Sequence, residues 1–185
     1  IDVALALFGR QGFDNTTMEQ IATEADVARK TLYNHFPVKE AIADEYVKQI
    51  SKGLAQETFS SLQRLPDTRS RLLAALNNAY GWVKFNPEIT RIVLAYRFKY
   101  IYQAGAEAEK TGTQQVLAEI LRAGQQAGEI KSDISVELMA TYLDMLRGVM
   151  AWEWVNDTES FELSDRIARL VDMVLYGIST SKESS

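Results

Sequence analysis

The chain reads as an all-α protein of about nine helices, a short three-helix module at the N-terminus followed by a longer helical domain. Three observations predict this. Apolar residues recur at helical spacing almost throughout, and alternating strand patterns are scarce. The interruptions fall at residues that start or stop helices, among them Gly12, Asp26, Pro37, Pro66, Pro87 and Gly128.

The first helix carries the stripe Ile1, Ala4, Leu5 and Phe8 and is closed by Gly12. Ile1 enters directly into this pattern, which predicts a further short segment ahead of it. Thr16-Thr17-Met18-Glu19 fits a capping box, with Thr16 at the N-cap and Glu19 reaching back. The helix it starts runs through Ile21, Ala22 and Ala25 to Asp26. A third helix spans about 28–36 and stops before Pro37, because the residue ahead of proline disfavours helix. A fourth begins near Val38 with Ile42, Tyr46, Val47, Ile50 and Leu54. Leu65-Pro66-Asp67-Thr68 and Asn86-Pro87-Glu88 then separate helices at about 68–85 and 87–105, with proline as a helix-start residue. Helices at about 113–127, 136–155 and 162–178 follow, with a loop over 128–135 and a frayed tail from Lys182. The last shows Ile167, Leu170, Val171, Val174, Leu175 and Ile178 on one face.

Composition narrows the function. The 185 residues are 46% hydrophobic and 24% charged, the balance of an ordinary globular protein. There is no cysteine and one histidine, which removes disulfides, thiol nucleophiles, thiolate zinc sites and a two-histidine catalytic pair. An all-carboxylate metal site stays open in principle, and no cofactor is predicted. Carboxylate pairs such as Glu107 and Glu109 sit at a polar helix end without a nucleophile motif or a Gly-rich phosphate loop, so an enzyme is not expected. No apolar run approaches the roughly 20 residues needed to cross a bilayer, and no secretory segment opens the chain. A reducing cytoplasm without membrane contact is the expectation.

The net charge of −5 runs against a basic DNA-binding footprint, but its distribution answers part of the objection. Between Val27 and Lys39 lie Arg29, Lys30 and Lys39 and no acidic residue. Salt screens charges beyond about 10 Å, so the local balance governs phosphate binding. Residues 16–36 form two short helices joined by a tight turn at Ala25-Asp26-Val27, the layout of a helix-turn-helix whose second helix enters the major groove. Ile21, Ala22, Val27, Leu32 and Phe36 would hold the pair together. Arg29, Lys30, Thr31, Tyr33, Asn34 and His35 would face outward as donors for phosphates and base edges. The plainer reading of the three cations is a solvated face, and a lone histidine is more often structural than functional. Thr16 and Thr17 both suit a helix cap, and one can cap while the other reaches a phosphate.

The segment ALFGRQGFDNTTMEQIATEADVARKTLYNHFPVKEAI resembles the tetracycline-repressor (TetR) family along its whole N-terminal module. TTMEQIA, TLYNHF and Lys39 after the proline carry that resemblance, and AGEIKSDIS and GVMAWEW are similar to segments of the family's variable C-terminal domain. The resemblance implies a homodimeric repressor on a palindromic double-stranded operator, released by a small effector and dimerising through its last two helices. It implies that Thr17, Tyr33, His35 and Lys39 contact phosphates, while Arg29, Lys30, Thr31 and Asn34 face the groove. Residues 1–46 would be the DNA-binding domain and 47–185 the ligand-binding and dimerisation domain. An activator, or a DNA binder without an effector, remains open. Two departures stand out: Asp26 where glycine is common, and Ala28 where a serine cap is common.

The second half is rich in aromatics, which are usually core but also line pockets. Tyr80, Phe98, Tyr102 and Trp152 are the candidate contacts for a small, largely apolar or aromatic effector. Arg97, between Tyr96 and Phe98, suits either an anion in that pocket or a snorkelling position at the surface.

Overall fold

The computed structural model describes residues 1–104, 110–159 and 161–177, with the backbone alone for 101–104. Among the described residues there are nine helices and no strand: α1 (Asp2–Gln11), α2 (Met18–Glu24), α3 (Arg29–His35), α4 (Lys39–Leu62), α5 (Thr68–Phe85), α6 (Pro87–Ala104), α7 (Gly112–Gln126), α8 (Val136–Asn156) and α9 (Leu163–Tyr176). The boundaries agree with the sequence-based ones to within a residue or two. The residues cluster into two compact units, 1–50 with 91–109, and 51–90 with 110–185.

In the first unit, Ala4, Leu7, Met18, Ile21, Ala22, Leu32 and Ile42 form a buried core, with Ile1, Val3, Phe8 and Phe36 packed against it. Val27, expected in this core, is 40% exposed. It borders an open groove of about 350 Å³ that Ile1, Val3, Ile21, Leu32 and Phe36 also line.

The cap of α2 differs from the expected one. Thr17, not Thr16, is the N-cap: its Oγ1 accepts from the Gln20 N–H, and Gln20 Oε1 accepts from the Thr17 N–H. TTMEQ holds two overlapping boxes one residue apart, and burial selects between them. Thr16 is 1% exposed, and its hydroxyl donates to the Gly12 carbonyl at 2.8 Å.

The second unit packs α5, α7, α8 and α9 around Leu72, Leu76, Leu117, Ile120, Leu143 and Ile167. Its helix starts are capped by Asp67 on the Ser70 N–H, Thr111 on the Gln114 N–H and Ser135 on the Leu138 N–H. At the start of α7 the Gly112 N–H donates to Ser51 Oγ, and a Cβ on Gly112 would lie 1.9 Å from the Ser51 carbonyl oxygen. Only glycine fits there.

The apolar stripe of α9, expected at a dimer seam, faces its own unit instead. Ile167, Leu170 and Val171 are buried, Val174 and Leu175 are half-buried, and Ile178 lies outside the described residues. The outward apolar face belongs to α8. Leu138, Tyr142, Met145, Leu146 and Val149 are exposed there, joined by Met173 and Tyr176 of α9. The opposite face of α8 buries Val136, Ala140, Leu143, Met150 and Ala151, so this helix is apolar on two sides.

Candidate nucleic-acid interface

The two reading helices are joined by a turn that only a few residue types accept. Asp26 takes φ +52°, the left-handed region that glycine fills without strain and Asp tolerates better than most. The Val27 N–H returns to the Ala22 carbonyl at 3.0 Å, closing the turn. Ala28 occupies the N-cap of α3 with no side-chain bond, so the helix lacks a contribution of about 1 kcal/mol that a serine would make.

One side chain of α3 anchors it, because Leu32 is buried in the module's core. Arg29, Lys30, Thr31, Tyr33, Asn34 and His35 are all exposed. Burial of a single leucine therefore presents every donor-bearing side chain of the helix to the outside together. That is the geometry a major-groove reader requires.

Three of the expected phosphate contacts are already bonded within the protein. Thr17 caps α2, and its hydroxyl lies 3.3 Å from Gln20 Oε1. The Tyr33 hydroxyl donates to Glu19 Oε1 at 3.0 Å, crossing from α3 to α2. Glu19 is held below the usual carboxylate range by a backbone hydrogen bond and by the Tyr33 hydroxyl, and Tyr33 is pushed up chiefly by that same bond. Lys39 is the most committed. Its ammonium donates to the carbonyls of Phe13 at 2.6 Å, Thr16 at 3.0 Å and Asp14 at 3.3 Å, and lies 4.4 Å above the Phe13 ring. An ammonium has three donors, and three acceptors are present. Lys39 is thus a clamp between the start of α4 and the α1–α2 loop rather than an open cation.

The three effector candidates with described side chains are divided between the two units. Tyr80 is a core residue of the second unit, 1% exposed, with its hydroxyl donating to the Arg147 carbonyl at 2.7 Å; burial pushes its phenol well up. Trp152 is half-buried in that unit, and Phe98 is half-buried in the first. The Tyr102 side chain, like Glu107 and Glu109, lies outside the described residues. Three groups escaped the sequence reading. The sequence marks Glu19 only as a cap residue. Asp44, 5% exposed, binds Arg97 at 2.5 Å and Lys48 at 2.8 Å. Arg147, buried on α8, pairs with Asp144 at 2.7 Å. Spacings of 14 and 53 residues, as in Glu19–Tyr33 and Asp44–Arg97, leave no local periodicity to detect. Among the described residues no cluster of His, Cys, Asp or Glu could hold a metal, and no helix is long and apolar enough to cross a membrane.

A capped helix, a left-handed turn and a second helix presenting only donors define a DNA-binding transcription regulator. Residues 1–46 match the family model described as bacterial regulatory proteins, tetR family. The chain is 26% identical to the HTH-type transcriptional repressor KstR2 of Rhodococcus jostii, over 97% of this chain and 89% of that one. It is 24% identical to the probable acrEF/envCD operon repressor of Escherichia coli, over 95% and 83%. Among solved structures, the Thermus thermophilus FadR repressor in complex with lauroyl-CoA superposes with a TM-score of 0.81 at 23% identity, covering 100% of this chain and 95% of that one. FadR of Bacillus subtilis in complex with stearoyl-CoA gives 0.63 at 19% identity, over 96% and 97%. The N-terminal module, residues 1–46, is thus that of the tetR-family regulators, and the whole chain is similar to repressors of that kind.

Proposed function

We propose that this protein is a cytoplasmic repressor that binds a palindromic operator as a homodimer and is released by an acyl-chain effector. The observation that carries the reading is the single-anchor arrangement of α3, with Leu32 buried and six donor-bearing side chains exposed. Arg29, Lys30, Thr31 and Asn34 are the proposed base readers, and His35 and Tyr33 the proposed phosphate contacts. The exposed apolar face of α8 supports a second copy, because monomeric proteins seldom leave large contiguous apolar patches in water. A two-fold arrangement would cover that face isologously and set two α3 helices about 34 Å apart, one turn of DNA. The acyl effector rests on the likeness in fold to two repressors crystallised with acyl-CoA. Effector binding would act by population shift, favouring a half-site separation that no longer fits successive grooves.

The experiment is selection of bound duplexes from a random pool, followed by titration of the selected operator. Lys30→Ala and Asn34→Ala should each cost about 1–3 kcal/mol at particular base pairs. Adding lauroyl-CoA should release the operator. A pool without a palindromic consensus, or equal losses on random DNA, would overturn the base-reading assignment.

A further inference from the structure

Arg97 and Asp44 form a half-closed fork. Guanidinium and carboxylate groups commonly pair through two parallel bonds, as one pair elsewhere among the described residues does. Arg69 Nε meets Asp172 Oδ1 at 2.7 Å while Nη2 meets Oδ2 at 3.1 Å. At Arg97 only the first arm exists: Nε donates to Asp44 Oδ1 at 2.5 Å. Oδ2, which would receive the second arm, is taken by Lys48 Nζ at 2.8 Å. Among the described residues, Arg97 Nη2 is consequently buried with no hydrogen-bond partner. A buried charged donor without an acceptor carries its full desolvation cost, so the site is incomplete as it stands. The missing piece is an oxygen with negative charge, because two cations already share the one carboxylate.

We infer that Arg97 is the residue that receives the anionic group of the effector, a phosphate or carboxylate oxygen docking on Nη2 with Asp44 as the resting counter-ion. This rests on the effector reading above and adds to it that an apolar chain alone is not enough. The Arg97 side chain keeps 24% of its surface exposed although Nη2 is buried, so a ligand must displace the side chain to reach Nη2. Asp44 stands two residues after Ile42, a member of the DNA-binding core, so an anion that draws Arg97 away alters the charge on the helix that supports the reader.

The test is calorimetric titration of the full chain with three probes sharing a twelve-carbon chain: lauroyl-CoA, laurate and the neutral dodecanol. Arg97→Gln should lose about tenfold or more in affinity for the anionic probe that docks on Nη2, as expected for a lost charged hydrogen bond. Its affinity for dodecanol should stay within about twofold of the parent. Loss with lauroyl-CoA alone assigns a phosphate, and loss with laurate assigns a carboxylate. Equal binding of both anionic probes by Arg97→Gln and the parent overturns the inference while leaving the effector reading intact. A parent that binds its operator and none of the three probes overturns the effector reading and the inference with it. If Arg97→Gln fails to fold, Arg97→Lys keeps the charge without the fork: an intermediate loss on the anionic probe supports the inference, and none overturns it.

Discussion

The hydroxyl of Tyr33 on the recognition helix donates to Oε1 of Glu19 on the helix before it, at 3.0 Å. The pair ties α3 to α2 and gives Tyr33 an acidic partner within the protein. A phosphate oxygen offers the same hydroxyl an acceptor of the same charge, so DNA binding would exchange one for the other. Tyr33→Phe should weaken operator and random DNA alike by a few-fold. Glu19→Gln should tighten both, because the competitor weakens and a negative charge near the phosphates disappears. Filter binding at several salt concentrations reads both variants. Weaker binding by Glu19→Gln would show that the carboxylate orients Tyr33 rather than competing for it.

Lys39 leads to the opposite kind of expectation. An open phosphate contact predicts that Lys39→Ala lowers affinity for every sequence and flattens the salt dependence by about one unit. The clamp on Phe13, Asp14 and Thr16 predicts instead a loss of folding stability of about 2 kcal/mol, with the salt slope unchanged. Urea denaturation and salt-dependent DNA titration of the same variant separate the two. A flattened slope on a fully stable variant restores the phosphate contact.

Of the last two helices, α8 supplies most of the proposed dimer seam, and α9 adds Met173 and Tyr176. Met145→Glu and Tyr142→Glu, at exposed apolar positions, should give well-folded monomers by light scattering. Val171→Glu, at a fully buried position of α9, should instead unfold the second unit. A folded Met145→Glu, Tyr142→Glu double variant that stays dimeric at micromolar concentration would place the seam elsewhere.

Three carboxylates converge on the first turn of α5. Asp67 accepts from the Ser70 N–H at 2.7 Å, Glu129 from the Thr68 N–H at 2.6 Å, and Asp172 pairs with Arg69 at 2.7 Å. Each is held below its ordinary value: Asp67 by the Ser70 backbone, Glu129 by hydrogen bonding to Thr68, and Asp172 by the Arg69 guanidinium. Groups with a lowered folded pKa stabilise the fold above their unfolded values near 4 and lose that contribution as pH falls through the folded ones. The melting temperature should therefore drop as pH is lowered from about 5 to 3. Asp67→Asn, Glu129→Gln and Asp172→Asn combined should melt lower at pH 7 and fall less steeply. Parallel profiles for parent and variant would count against this cluster as the acid-sensitive element.

What could be read from the sequence divides by distance along the chain. Helix positions, the left-handed turn at Asp26 and the outward set on α3 depend on residues a few positions apart, and periodicity reports them directly. The cap of α2 was legible only as a choice between two threonines, because the tie is broken by the burial of Thr16 against Gly12. The α9 stripe announced an apolar face but not its partner, since a face buried in its own unit and one buried in a copy look alike in sequence. The clamp made by Lys39 is hidden for another reason: its acceptors are backbone carbonyls, which every residue carries and no sequence pattern marks. Arg97 and Asp44, 53 residues apart, could be suspected singly but not paired.

In the proposed dimer, the outward face of α8 ties folding to abundance. Covered by a second copy, Leu138, Tyr142, Met145 and Val149 contribute to stability only while copies meet. For a chain folded chiefly as a dimer, each tenfold dilution takes away about 1.4 kcal/mol per dimer, by mass action alone. A cell that lets the repressor become scarce would thereby also shift it toward the unfolded, protease-sensitive state. Scarcity would then hasten its own clearance, and the switch from occupied to empty operator would sharpen without any further component.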